Sequence, residues 1–195
     1  MLDGELIGIY AQGDHAENAV KNSKEMFSDE VCICNTIEEV MKYRYRVILA
    51  DSFPAIDVKY TSFLKPKNII VGLGCRKGIS EELLEKGLLE ILKKNHLDMN
   101  QIEALVSIDL KKEEPAVVSL AEKYKVPFLT YSAEMLNEVE EVSSASSFVK
   151  KITGIDNVCE RAAVTYCKKH CEYFELIAGK SIETAMTAAI ARRNI

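Results

Sequence analysis

The chain has no tryptophan, only four prolines, and no apolar run approaching the roughly 18 residues that a membrane span requires. Nor does it carry an excess of positive charge: 25 Lys and Arg stand against 30 Asp and Glu, a net charge of −5. That balance argues against an electrostatic grip along a nucleic-acid backbone or on an anionic membrane, so any anion site has to be built locally. The first residues, Met1-Leu2-Asp3-Gly4-Glu5, lack the basic segment that opens a secretory signal. The six cysteines are therefore read as reduced thiols in a cytoplasmic protein, not as a disulfide framework. No internal repeat or low-complexity tract is visible. What remains is an ordinary globular composition, 48% hydrophobic and 28% charged over 195 residues, enough for an ample core.

The hydrophobic pattern predicts an α/β protein of two units. In the first, strands at 6–10, 31–34 and 46–50 alternate with helices at 16–27 and 36–41, the second capped by Thr36. This is a small parallel βαβ unit. Residues 51–67 contain Pro54 and Pro66 and little periodicity, and read as a linker. The second unit is larger, three-layered, and restarts with a strand at 67–71. A helix follows Ser80 with Leu83, Leu84, Leu88, Ile91 and Leu92 on one stripe. A strand at 104–108 leads to a helix opened by Pro115, then a strand at 126–130 and a short helix capped by Ser132. A serine-rich turn at 143–147 precedes a short helical piece, and a further helix opens at Asn157. Strands at 173–177 and 185–190, joined across Gly179-Lys180-Ser181, make the second sheet mixed.

The stretch Gly72-Leu73-Gly74-Cys75-Arg76-Lys77-Gly78 carries the most chemistry. It follows Ile69-Ile70-Val71 and precedes Ser80-Glu81-Glu82, so it reads as strand, glycine turn and helix start. Three glycines allow close backbone approach, the helix start offers unpaired N–H groups, and Arg76 and Lys77 add positive charge. A carboxylate or phosphate is the expected ligand. The glycine spacing does not match the dinucleotide fingerprint, and there is no Gly-Lys-Ser/Thr phosphate loop, which disfavours a nucleotide-binding protein.

Several motifs in order then resemble the cobalamin biosynthesis protein CbiG and its stand-alone relative CobE. They are Lys65-Pro66-Lys67-Asn68 with Val71 to Gly78, Ser107-Ile108-Asp109-Leu110-Lys111, Glu114-Pro115, Tyr131-Ser132-Ala133-Glu134, Gly154-Ile155-Asp156-Asn157-Val158-Cys159-Glu160 with Ala162-Ala163, and Thr187-Ala188-Ala189-Ile190-Ala191. The resemblance covers 65–195 as the C-terminal CbiG/CobE domain, with 1–64 similar to part of the CbiG central region. It implies that the CbiG N-terminal domain has no counterpart here.

What the resemblance implies is a role in cobalamin biosynthesis. CbiG enzymes open the δ-lactone of cobalt-precorrin-5A and release acetaldehyde, whereas CobE is regarded more as a tetrapyrrole-handling protein. A hydrolase and a non-catalytic carrier of a corrinoid intermediate therefore both stand. The cobalt arrives in the substrate, so no separate cofactor is expected. The implied partners are the cobalt-corrinoid intermediate and, as candidates, other enzymes of the pathway.

A corrinoid edged with carboxylates suits Gly72, Gly74, Cys75, Arg76, Lys77, Gly78 and Ser80, with Arg76 able to bind in bidentate fashion. Lys111 and Lys180, at strand ends or turns, extend a basic rim, and Glu134 and Asn157 lie in the same motifs. Lactone opening needs a base, oxyanion donors and an acid. The Gly72 to Gly78 amides are the expected oxyanion donors. Glu160, at a helix start, and Asp109, at a strand end, are the foremost candidate bases, with Glu114 and Glu134 as further acids. Cys75 beside Arg76 and Lys77 reads either as a thiol of depressed pKa or as a small packed residue. Glu160 equally reads as a helix-dipole partner, Asp109 as a turn residue, and Lys111 and Lys180 as solvated lysines. Cys32 and Cys34 share one strand face and read as core. Cys167, His170 and Cys171 share a helical face, but no fourth ligand is nearby in sequence and no metal site is expected.

Overall fold

The computed structural model describes residues 5–12, 30–50, 53, 59–140, 142 and 154–193. The chain divides at Pro66 into two compact units. In the first, β1 (Ile7–Ala11), β2 (Val31–Cys34), β3 (Tyr45–Leu49) and β4 (Thr61–Leu64) form a parallel sheet in the order β2-β1-β3-β4. The short helix α1 (Ile37–Val40) starts at Thr36, whose hydroxyl accepts a hydrogen bond from the Glu39 amide at 3.2 Å. Cys34, Val40, Ile48 and Ala50 are buried together.

Strand β4 corrects the reading of 51–67 as a linker. Its four residues alternate half-buried and exposed, a pattern too short to stand out. Arg46 helps to hold it on β3, donating to the Thr61 hydroxyl at 3.0 Å and the Lys59 carbonyl at 2.7 Å. The helix expected at 16–27 and the serine-rich turn with its helical piece lie outside the described residues.

The second unit is a five-stranded mixed sheet in the order β7-β6-β5-β9-β8. Its strands are β5 (Ile69–Cys75), β6 (Ile102–Ile108), β7 (Phe128–Tyr131), β8 (Phe174–Glu183) and β9 (Met186–Arg193). The first three are mutually parallel, and β9 runs antiparallel between β5 and β8. Alternation along β5 divides the core. Ile69, Val71 and Leu73 meet α2 (Glu81–Lys94) and α3 (Pro115–Tyr124) on one face. Ile70 meets α5 (Val158–His170) on the other, where Leu136 of the short α4 (Ala133–Asn137) also packs. The three expected layers follow. Leu84, Leu88, Ile91 and Leu92 of α2 are essentially inaccessible, each contributing about 1.5–3 kcal/mol by burial.

The caps agree with the sequence pattern. Ser80 and Ser132 accept from the Leu83 and Met135 amides, both at 3.3 Å, Pro115 is the first residue of α3, and Asn157 accepts from the Glu160 amide at 3.2 Å. The hairpin differs. Its turn is Thr184-Ala185, with Ala185 at φ 65, and not Gly179-Lys180-Ser181, which lies inside β8 where the register with β9 shifts. Glycine signals a turn or a bulge with equal force in a sequence; here it marks the bulge.

Candidate functional site

The carboxyl ends of β5, β6 and β7 gather Gly72 to Ser80, Asp109, Lys111 and Glu134, because parallel strands deliver all their following loops to one edge, whereas Asn157 and Glu160 open α5 and Lys180 lies within β8. Strand β5 does not end at Val71. It pairs with β9 through Cys75, Gly74 opposite Thr187 and Cys75 opposite Met186. The turn is shorter than the glycines suggest, running through Arg76, Lys77 and Gly78 to the cap at Ser80, with Gly78 at φ 71.

Gly72 and Gly74 therefore do their work within the sheet. A Cβ on Gly72 would lie 1.8 Å from the carbonyl oxygen of Cys159, so the start of α5 rests directly on this strand. A Cβ on Gly74 would lie 2.6 Å from the Thr187 hydroxyl. The expected supply of free amides is also reduced. The Arg76 amide donates to the Ala185 carbonyl at 3.0 Å, the Ile79 amide to the Arg76 carbonyl at 3.3 Å, and the Gly78 amide to the Glu114 carboxylate at 2.8 Å. Within the Gly72 to Gly78 stretch the Arg76 and Gly78 amides thus satisfy the protein itself, which corrects their reading as ready oxyanion donors.

Two side-chain groups form around β5. One joins Gly78, Lys111, Glu114 and Cys75. Glu114 is 6% exposed and accepts from Lys111 Nζ at 3.0 Å as well as from Gly78. Burial alone would push its carboxyl up. The hydrogen bonds from Lys111 and the Gly78 amide, with the charges of Lys111 and Lys77, outweigh that and hold it below the usual carboxylate range. For Cys75, burial is the largest influence and raises the thiol despite the nearby Lys111 ammonium, opposite to the depression a nucleophile needs.

The other group joins Asn157, Cys159, Glu160 and Lys180 at the start of α5. Glu160 is fully buried and its carboxylate accepts the backbone amide of Lys180 at the β8 bulge. Cys159 donates to Asn157 Oδ1 at 3.3 Å, and burial pushes its thiol up to about 11. Glu160 thus holds a strand irregularity in place and is shielded from water.

Asp109, by contrast, is exposed on the single 3-10 turn (Asp109–Lys111) that ends β6. Glu134 is exposed in the first turn of α4, its carboxyl lowered by its own backbone amide and the Ser132 hydroxyl. Arg76 and Lys77 are exposed, and among the described residues no ion pair engages either side chain. Lys111 and Asp109 share one loop, and Lys111 meets the turn at Gly78 through Glu114. Ser80 spends its hydroxyl on its helix.

Three contributors are not among the site residues that the sequence singles out, although Ser107 and Thr187 stand in its motifs. Ser107 Oγ donates to the Leu73 carbonyl at 2.7 Å, just beyond the last paired residues Gly72 and Val106, and so bridges β5 and β6 where their ladder stops. Arg161, 8% exposed, pairs with Asp156 at 2.9 Å and donates to the Leu136 and Val139 carbonyls. Thr187 faces Gly74 from β9, donating to its carbonyl at 3.4 Å. Among the described residues no group of three or more His, Cys, Asp or Glu is placed to hold a metal ion, and no helix is long and apolar enough to cross a membrane.

The comparisons with known proteins all lead to cobalamin biosynthesis proteins. The cobalt-precorrin-5A hydrolase of Salmonella typhimurium is 36% identical over 117 residues, covering 60% of this chain and 33% of that protein. The probable cobalt-precorrin-5A hydrolase of Methanocaldococcus jannaschii is 28% identical over 183 residues, covering 89% of this chain and 56% of that one. This chain therefore spans between a third and just over half the length of these relatives. Among solved structures, CobE, a protein from the cobalamin biosynthetic pathway, aligns at a TM-score of 0.61 and 29% identity, over 65% of this chain and 91% of its own. The family model described as cobalamin synthesis G C-terminus matches residues 69–191, from the first residue of β5 into β9, and the chain belongs to that family.

Proposed function

We propose that this chain acts in cobalamin biosynthesis on a cobalt-corrinoid intermediate, as a cobalt-precorrin-5A hydrolase or the corrinoid-binding portion of one. The observation that carries the reading is the family match over residues 69–191, which contains every element of the strand-end edge where Arg76, Lys77, Lys111 and Asp109 lie. A corrinoid is a flat apolar ring bordered by acetates and propionates. On an acidic chain, cations gathered at one sheet edge are the natural partners for that border.

In this reading Arg76, Lys77 and Lys111 bind substrate carboxylates, with Arg76 able to take one through two parallel N–H groups. The cobalt is part of the substrate. Asp109 is the base that activates water for attack on the lactone, because its carboxylate is open to solvent where Glu160 is sealed. Glu160, Asn157 and the β8 bulge at Lys180 then support the site from beneath. The N-terminal unit corresponds to part of the CbiG central region, a reading supported by the 89% coverage of this chain in the M. jannaschii relative.

The test is incubation of the purified chain with cobalt-precorrin-5A, following acetaldehyde release. Release that falls at least 100-fold in D109N, with affinity retained, supports hydrolysis by this base. A change in the corrinoid absorbance spectrum without acetaldehyde refutes hydrolysis by this chain and favours a CobE-like carrier. Absence of both refutes the corrinoid reading.

A further inference from the structure

We infer that Glu114 is a positioning residue: its carboxylate fastens the Lys111 ammonium to the Gly78 turn, and it acts on ligand binding through Lys111. The inference rests on the corrinoid-carboxylate reading of this edge. Glu114 is the N-cap of α3, a position where the short side chains of Ser, Thr, Asp or Asn ordinarily accept an amide of the first turn. Here only its backbone serves the helix, the carbonyl accepting from the Val117 amide at 3.0 Å and the Val118 amide at 3.2 Å. The side chain makes no capping bond and crosses instead to the loop after β5.

There its two oxygens divide the work, Oε1 on the Gly78 amide at 2.8 Å and Oε2 on Lys111 Nζ at 3.0 Å. The Glu114 side chain is 4% exposed and that of Lys111 is 15% exposed. A carboxylate so shielded is costly to leave unpaired, so amide, carboxylate and ammonium hold together as one unit. The unit ties the loop after β5 to the loop after β6, the two that would close on a ligand at this edge.

The consequence for Lys111 is order. A free lysine is a charge on a flexible four-carbon stem, and binding a ligand has to freeze it. Tethered to Glu114, with the Cys75 thiol also within its reach, Lys111 is held before any ligand arrives. Its ammonium has three donors, and Glu114 takes one. Capacity remains for a ligand carboxylate, and Lys77 adds a second positive charge near the same place.

The test is a double-variant cycle on the full chain with cobyrinic acid, a cobalt corrin bearing free carboxylates, titrated by absorbance, with urea midpoints measured alongside. K111M should weaken binding about tenfold and E114Q about fivefold, while E114Q made in the K111M chain should add no further loss. A strut that merely holds the turn would cost the same affinity with or without Lys111, so additive losses overturn the inference. If E114Q does not fold, E114D, which keeps the charge and shortens the reach, takes its place in the cycle with the same two outcomes. Failure of the unaltered chain to bind cobyrinic acid overturns the proposed function and this role with it, whereas binding with additive losses overturns this role alone.

Discussion

Replacing Gly72 by Ala should destabilise the second unit strongly, and the structure says by how much and through what. The added carbon would sit 1.8 Å from the Cys159 carbonyl oxygen, 2.8 Å from its carbonyl carbon and 3.1 Å from the Ala163 amide nitrogen. All three are backbone atoms, so no rotamer change relieves the clash. Either the first turn of α5 lifts by about 1.5 Å to restore ordinary contact, or β5 bows away from it. Both are resisted. Gly72 is paired with Val106 and Ala189, while Asn157, Cys159 and Glu160 at the head of α5 are buried to within 1%. Overpacking of a well-filled core typically costs 1–3 kcal/mol, and a backbone-to-backbone clash belongs at or above the top of that range, so about 3 kcal/mol is expected. For a unit of this size that lowers Tm by about 10 °C.

Urea and thermal denaturation followed by far-ultraviolet circular dichroism measure the effect. Gly74→Ala and Gly78→Ala are the internal controls. The first meets only the Thr187 hydroxyl, which can rotate away, and the second meets no atom within 4 Å but keeps a φ of 71. Each should cost about 1 kcal/mol, from crowding and from left-handed backbone respectively. A Gly72→Ala chain as stable as the unaltered one to within about 0.5 kcal/mol would refute the packing argument. If that chain also lost corrinoid affinity, the glycine would be serving ligand approach after all.

Two further outcomes follow from buried charges. Arg161→Ala removes donors from the Leu136 and Val139 carbonyls and leaves Asp156 unpaired, and should cost about 3 kcal/mol in urea denaturation, with Lys at 161 restoring little because it lacks the planar fork. Glu114 titrates below its usual range in the folded chain, so its stabilisation is complete above its unfolded value and is lost as pH falls through the folded one; between about pH 5 and pH 3 the unaltered chain should lose more stability than E114Q, as urea midpoints across that window would register.

Much of the architecture was legible in the sequence because local signals agreed with the fold. Ser80, Ser132, Thr36 and Asn157 are caps wherever the pattern placed helix starts, and Pro115 opens its helix. The mixed sheet followed from two apolar runs close enough in sequence to return on each other. Legibility failed where one residue type has two uses. Glycines at 179 and 72 signal turns in the sequence, yet one sits in a bulge and the other under a helix, and only the strand partners decide between these. Strand β4 is silent in the sequence because its four residues, half-buried or exposed, carry little periodicity, and Arg46 anchors them from another strand.

The candidate acids show the same limit in its chemical form. Glu160 and Asp109 both stand at the boundary between a strand-end loop and a helical turn, and nothing local distinguishes a base from a support. What distinguishes them is the contact at Gly72. Because that strand position has no side chain, α5 settles onto β5, and the descent that brings the Cys159 carbonyl against the strand also carries Glu160 out of water and onto the Lys180 amide. Asp109 follows a strand whose end is held by the Ser107 hydroxyl, and it stays exposed. The packing that requires glycine at 72 is thus the packing that buries one acid while the other stays open to water. A variant that lifts α5 should disturb stability first, while one at Asp109 should disturb turnover and leave the fold intact.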